Sequence, residues 1–374
     1  MANAFLFLLL LIFYSNITIE NIHACNQSER SSLLSFALTL SSPQLNWTSA
    51  DCCNWEGVTC NQGGWITHLQ LPSKGLKLKE DQTEFFLSLN DLEILDLSFN
   101  LLFGVLPSSL PSSHIRMVDL SSNRLHGAVP SSFFQQAWNL TSFNVFRAGH
   151  NYLSGSLPED MFNSTTLEEI SLPLNSLNGA MSDGIANLTN LTTLDLSYNQ
   201  LSGVLPLHLE KLSKLKYILL DFNYLEGSLP LSLMNCTNLV ELRMGNNSLG
   251  GDISMLNFSK LSQLSKLDLR KNNFFGILPR SIYSCKFLKA IRLNYNNLEW
   301  YNSFMAIEAE EVTDLGSGTQ QNHWLNSKLA GDSSKAEFFN DAIQPTFWRN
   351  SKGIVHTTYV SIWTNCSSSR SYLS

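Results

Sequence analysis

Residues 194–206 read L-D-L-S-Y-N-Q-L-S-G-V-L-P, and near copies of this stretch recur along most of the chain. With Leu191 ahead of it the pattern becomes L-x-x-L-x-L-x-x-N-x-L-x-G-x-L-P. Aligned on the asparagine, the copies fall at Asn100, Asn123, Asn151, Asn175, Asn199, Asn223, Asn247, Asn272 and Asn296. The steps are 23, 28, 24, 24, 24, 24, 25 and 24 residues, a regularity that an ordinary leucine-rich core does not produce.

That period and signature predict a leucine-rich-repeat solenoid, an α/β-type horseshoe or superhelix with short parallel strands on its concave face and irregular or 3-10 outer segments. In each L-x-L strand the side chains alternate, so Leu95 and Leu97 point inward while Asp96 and Ser98 point out. The asparagine stands where the chain leaves the strand, and its carboxamide can bond backbone groups left unpaired by the turn. Glycines such as Gly203 and Gly227 suit a tight turn or a close backbone approach. No single repeat closes a core, so stability comes from stacking and each end needs a cap.

The chain has 374 residues, with 24 Lys and Arg against 31 Asp and Glu and a net charge of −7, which argues against a nucleic-acid binder. Residues 5–14 are unbroken apolar sequence and a small Ala24 precedes Cys25, the pattern of a secretory signal over residues 1–24. Its first residues lack Lys and Arg, and the apolar run is shorter than the roughly 20 residues of a membrane span. Export is supported by sequons at Asn26, Asn46, Asn139, Asn163, Asn187, Asn190, Asn235, Asn246, Asn257 and Asn365. Glycans are expected mainly on the rim and outer face.

Residues 25–64 carry Cys25, Cys52, Cys53 and Cys60, enough for two bridges in an oxidising compartment. Three pairings are open, and Cys25–Cys52 with Cys53–Cys60 is favoured. The competing zinc site lacks a suitably placed His. Leu33, Leu34, Phe36 and Leu38 are expected to pack as an amphipathic helix over the first repeat.

The cap C-C-N-W-E-G-V-T-C followed by L-x-G-x-L-P repeats resembles the extracellular region of plant leucine-rich-repeat receptor kinases and receptor-like proteins. The segments A-C-N-Q-S-E-R-S-S-L-L-S-F, N-L-T-S-F-N-V, S-L-P-L-N-S-L-N-G and I-Y-S-C-K resemble receptors for tyrosine-sulfated peptides and their relatives. The likeness covers roughly residues 24–298. It implies an extracellular, peptide-sensing ectodomain. Full-length relatives add further repeats, an island insertion, a membrane span and often a kinase; none is recognised here, so the chain reads as truncated.

Repeats occupy residues 65–299, a degenerate first unit on Ile66, Leu69 and Leu71, with Lys74 in place of asparagine, plus nine more. The third is irregular: Phe143, Phe146 and Ala148 stand at leucine positions and the step into Asn151 is long. An internal deletion with repaired register, or an insertion near residues 135–140, accounts for it. Met181 and Ser182 replace one L-P pair, and Cys236 and Cys285 read as buried structural thiols. At Trp300 the period stops. Residues 300–374, with Cys366, are expected to be a poorly ordered, non-repeat tail.

Between the two strand leucines stand Asp96, Asp119, Arg147, Ser171, Asp195, Leu219, Arg243, Asp268 and Arg292. The next outward column is Ser98, Ser121, Gly149, Pro173, Ser197, Asp221, Gly245, Arg270 and Asn294. Acid dominates early and base late. Arg243, Arg270 and Arg292, with Lys266 nearby and Tyr217 and Tyr295 flanking, form the candidate binding site, since a guanidinium can hold a sulfate or carboxylate in two parallel hydrogen bonds. Ordinary solvated charge is the competing explanation, with Asp268 among the cations. Scattered histidines, no H-E-x-x-H pair and no nucleophile elbow argue against an enzyme, and no cofactor or metal is called for. The expected partner is an extracellular peptide, acidic or sulfated, or a co-receptor ectodomain, with no nucleic acid and no membrane span. Alternatives are an inhibitor of a cell-wall hydrolase such as a polygalacturonase, against which stands a missing carboxy-terminal cysteine cap, or a non-functional truncated receptor.

Overall fold

The computed structural model describes residues 25–42, 45–79, 89–137 and 142–299. The expected leader, the tail with Cys366, and the sequons Asn139 and Asn365 lie outside them. Two compact units divide at residues 176 and 177. Each is a leucine-rich-repeat stack.

In the first unit the cap helix Gln27–Thr39 is closed by Asn26, whose Oδ1 accepts from the backbone of Ser28 and Glu29. Its apolar side is Leu33 and Phe36, continued by Leu40, all buried. Leu34 is half-buried and Leu38 is 71% exposed, so these two do not pack as the sequence led us to expect. At 3.6 residues per turn they fall on the far side from residues 29, 33 and 36. The buried Glu29 ties the cap down: Oε2 accepts from the N–H of Ile66 and Oε1 from that of Asn90, each at 2.7 Å. Bridges Cys25–Cys52 and Cys53–Cys60 are both formed, which leaves no thiolate among these four for a metal. Val58–Cys60 pairs antiparallel with Ile66–Gln70, the degenerate first strand. Ile94–Asp96, Met117–Asp119, Val145–Arg147 and Glu169–Ser171 then follow it in parallel.

The irregular third repeat keeps its register by changing its outer segment. A seven-residue α-helix, Ser131–Ala137, takes the place filled in the next repeat by the 3-10 segment Glu159–Asn163. It supplies Phe133 and Phe134 to a ring cluster with Phe143 and Phe146, centroids 5.3 to 6.4 Å apart. All four rings are buried, as is the small Ala148 at the third leucine position of this repeat.

The second unit repeats the scheme with less variation. Thr193–Asp195, Tyr217–Leu219, Glu241–Arg243, Lys266–Asp268 and Ala290–Arg292 pair in parallel, with Leu194, Ile218, Leu242, Leu267 and Ile291 in one inward row. A second parallel sheet, which the sequence reading did not foresee, runs through Ser176–Ala180, Gln200–Val204, Tyr224–Ser228, Ser248–Asp252, Asn273–Ile277 and Asn297–Glu299. Its strands contain the repeat glycine. At Gly227 φ is +76° and an added Cβ would lie 2.9 Å from Cγ1 of Val204 on the neighbouring strand, so both conformation and space demand glycine. Where Met181–Ser182 replaces L-P, the Ser182 hydroxyl accepts from Gly184 N–H, a cap that Pro158, Pro230 and Pro279 do not provide.

The asparagines join neighbouring repeats. Asn223 is buried; its Oδ1 accepts from Leu201 N–H at 2.9 Å, and its Nδ2 donates to Leu196 O at 3.0 Å and Leu220 O at 3.1 Å. The residue before each asparagine is left-handed, with φ between +54° and +60° at Phe99, Ser122, His150, Leu174, Tyr198, Phe222, Asn246 and Tyr295, and +50° at Lys271. Non-glycine residues adopt this region at a cost of about 1–2 kcal/mol, and here the inter-repeat bonds hold them there. Phe222 N–H, for example, donates to Gly245 O at 2.9 Å.

Two substitutions test this account. Asn223→Ala strands the buried N–H of Leu201 and leaves Leu196 O and Leu220 O with one carboxamide donor each, from Asn199 and Asn247, lowering stability by about 1–3 kcal/mol, read as the urea midpoint. Glu29→Ala orphans two N–H groups and loosens the cap, read as faster amide exchange at Ile66 and Asn90 than at Leu242.

Candidate functional site

The strands and the turns after them carry four columns of non-leucine side chains in the second unit, of which Ser197, Asp221 and Asp268 are buried. The first is Thr193, Tyr217, Glu241, Lys266 and Ala290; the second is Asp195, Leu219, Arg243, Asp268 and Arg292. Ser197, Asp221, Gly245, Arg270 and Asn294 make the third, and the left-handed Tyr198, Phe222, Asn246, Lys271 and Tyr295 the fourth.

Much of the acid in the second column is structural. Asp96, Asp119, Asp195 and Asp268 each accept, through Oδ1, the backbone N–H two residues on, at 3.0 to 3.2 Å. Such Asx turns close the end of the strand. Arg243 breaks the pattern, and Gly245 N–H would lose its acceptor. Asp221 of the preceding repeat replaces it, accepting from Gly245 N–H at 2.9 Å. Gly245 leaves room for this: an added Cβ would come within 3.0 to 3.2 Å of Arg270, Asp268 and Asp221.

Arg243, Lys266, Arg270 and Arg292 do converge, but as part of a lattice rather than a bare cationic patch. Arg243 Nε lies 2.7 Å from Asp221 Oδ2, without a hydrogen aimed at that oxygen, and Nη1 lies 3.7 Å from Glu241. Lys266 Nζ is 3.3 Å from Glu241. Arg270 Nε and Arg292 Nη1 share Asp268 Oδ2, at 3.5 and 3.3 Å. Four cations face three carboxylates, so one positive charge is in excess. Lys271 adds another, its ammonium 5.7 Å from the Tyr295 ring centre. Tyr217 and Tyr295 stand at opposite edges, 37% and 52% exposed. The first unit has a smaller counterpart, in which Arg147 makes two hydrogen bonds to Glu169 and lies 3.7 Å from Asp119.

Sequence reasoning missed Glu241 as a counter-ion, because its pairing with Lys266 spans 25 residues and appears only once the strands are in register. It also missed the stacked pair Tyr198 and Phe222, ring centres 4.1 Å apart at 15°. Adjacent aromatic residues in the position before the asparagine are the signal that reveals it.

The sequons divide by place. Asn163, Asn187 and Asn235 each end a 3-10 segment and are exposed, and Asn46 and Asn257 are exposed as well. Asn26 and Asn190 are half-buried. Asn246 is different: it belongs to the fourth column, between Phe222 and Lys271. Cys236 and Cys285 are buried and unbridged, their thiols donating to Leu209 O and Phe258 O. Burial pushes the Cys236 thiol up to about 11.

Asp221 is fully buried, and burial pushes its carboxyl up to about 6 against the pull of Arg243; nearby Asp268 adds to the rise. The folded state therefore holds this proton more tightly than the unfolded chain does. Stability from Asp221 is greatest below the ordinary carboxylate range and is lost as pH rises through about 6, by up to about 3 kcal/mol for a two-unit shift. Urea midpoints at pH 4.5 and 7.5 should show that decline in the wild type and a flatter profile in Asp221→Asn; identical profiles would refute it.

Among the described residues, no helix is long and apolar enough to cross a membrane. Residues 26–61 match the leucine-rich-repeat N-terminal domain, and residues 91–113, 165–225 and 263–285 match leucine-rich repeats. Receptor-like protein 3 of Arabidopsis thaliana is 43% identical over 94 residues, 24% of this chain and 12% of the relative. Phytosulfokine receptor 1 of the same plant is 32% identical over 112 residues, 28% of this chain and 11% of the relative. The chain thus aligns with only about a tenth of each curated relative. Among solved structures, PEPR1 with AtPEP1 superposes with a TM-score of 0.56 at 27% identity, over 73% of this chain and 46% of that one. The Arabidopsis receptor kinase HAESA, with the peptide hormone IDA and the co-receptor SERK1, gives 0.51 at 27%, over 73% and 54%. Residues 26–61 are therefore a leucine-rich-repeat N-terminal domain, followed by leucine-rich repeats, and the chain is similar to the ectodomains of plant receptor-like proteins and receptor kinases.

Proposed function

We propose that the protein is an exported, receptor-like recognition module that binds an extracellular peptide, or the ectodomain of a co-receptor, on the outward columns of the second unit. The observation that carries this reading is the charged lattice of Arg243, Lys266, Arg270 and Arg292, with its excess of positive charge, beside the stacked rings of Tyr198 and Phe222. Support comes from PEPR1 and HAESA, whose solved structures hold AtPEP1 and IDA.

The lattice decides how such a ligand is held. The Lys266–Glu241 pair is partly exposed and contributes only about 0–1 kcal/mol, so an incoming carboxylate or sulfate can take over Lys266 at little cost, whereas Arg292 can turn to a ligand only because Arg270 stays beside the buried Asp268. Arg243 is held by the buried Asp221 and acts as a fixed donor. The aromatic pair offers an apolar surface to the rest of the peptide. Because the excess charge is small, the chemistry favours a ligand with one or two anionic groups over a polyanion.

An acidic or tyrosine-sulfated peptide should bind the wild type in a salt-dependent manner. Arg243→Ala with Arg292→Ala should weaken it about tenfold or more, equal to about 1.4 kcal/mol or more, by calorimetry on the full chain. Unchanged affinity would remove the columns from consideration. Capture of a pectin-degrading hydrolase, with no peptide bound, would assign the protein to the inhibitors instead.

A further inference from the structure

A cleft of about 200 Å3 opens on the outer side of the second unit, lined by Leu231, Met234, Asn235, Met255, Asn257 and Lys260. Leu231 and Met255 belong to successive outer segments and are 62% and 68% exposed. Single exposed apolar side chains are commonplace. Here two of them line one cleft together with two sequon asparagines, N-C-T at Asn235 and N-F-S at Asn257. The space far exceeds the ~30 Å3 share of one water, and suits a single sugar ring with its acetamide.

The asparagine carboxamides are already oriented. Asn235 ends the segment Leu231–Asn235, and its Oδ1 accepts from Lys260 Nζ at 2.9 Å. Asn257 Oδ1 accepts from Ser259 N–H at 3.0 Å. Each bond uses the oxygen and leaves the attachment atom, Nδ2, out of the contact.

We infer that this cleft seats the first N-acetylglucosamine of a glycan on Asn235, with the apolar ring face and acetamide methyl against Leu231 and Met255 while Lys260 fixes the carboxamide. The sugar comes from a polyprenyl-diphosphate donor: the Nδ2–C1 bond forms as the C1–O bond to phosphate breaks, Nδ2 gives up one proton, and the diphosphate leaves. Nδ2 keeps its other proton and Oδ1 keeps Lys260. The two apolar side chains are thereby covered by the chain's own modification. The seat rests on the exported character proposed above, since only an exported chain meets this donor.

Secretion of the full chain from a eukaryotic host with oligomannose glycans, followed by trimming to one N-acetylglucosamine per site, gives the protein for the test. Thr237→Ala abolishes the sequon at Asn235 yet retains Asn235 and its Lys260 contact. Expected are occupancy of Asn235 by glycopeptide mass spectrometry, a fall of about 1–3 °C in Tm in Thr237→Ala, and faster amide exchange at residues 253–256. Leu231→Ser with Met255→Ser should give the same fall while still carrying the sugar, and adding Thr237→Ala should then change nothing. Ser259→Ala, which removes the glycan of Asn257, should leave Tm in place. An empty Asn235 beside occupied Asn163 and Asn187, or an unaltered Tm and exchange in Thr237→Ala, overturns the seat alone. Absence of glycan from every sequon overturns both the seat and the exported reading.

Discussion

One buried carboxamide per repeat carries the architecture. An asparagine such as Asn223 presents an acceptor and a donor to backbone groups of its own repeat and of the one before, satisfying polar atoms that would otherwise be sealed away from water. No other side chain of that length offers both functions in one plane. The same bonds hold the preceding residue in the left-handed region, so a local penalty is tolerated because the stack around it is satisfied. Leucine burial contributes more energy, but it does not by itself specify the stagger between repeats; the carboxamide does.

The outward columns inherit their chemistry from that geometry. Aspartates that seem free to meet a ligand are committed to closing turns, and the position where arginine intrudes takes its acceptor from the repeat before. The candidate site is thus a by-product of a repaired defect: Asp221 is buried to serve Gly245, and its charge then fixes Arg243. Gly245 completes the exchange, since any side chain there would separate Asp221, Asp268 and Arg270.

The repeat register, the buried leucine row and the cysteine cap were readable from the chain because each is a local pattern with a fixed period. The second sheet was not, since its strands are three to five residues long and run through glycines that signal a turn when read alone. Leu38 was misjudged because an apolar run over residues 33–38 does not by itself give the helix phase; Glu29, anchored to Ile66, does. Arg243, Arg270 and Arg292 were found from column position. Asp268 was visible among them, but the pairing of Arg243 with Asp221 and of Arg292 with Asp268 was hidden, because these partners lie 22 and 24 residues apart and meet only through the folded register.

Parallel pairing in strict register also acts as a ruler. Neighbouring strands lie ~4.8 Å apart, whereas a chain in polyproline II advances ~3.1 Å per residue with three residues to the turn. A guest of that form laid along the stack would return near coincidence, with the same side toward the sheet, after three of its residues, ~9.3 Å, against two rungs at ~9.6 Å. Arg243 and Arg292 are two rungs apart. Anionic groups three positions apart on such a guest would face both guanidinium groups from one side, while groups two or four apart would point elsewhere.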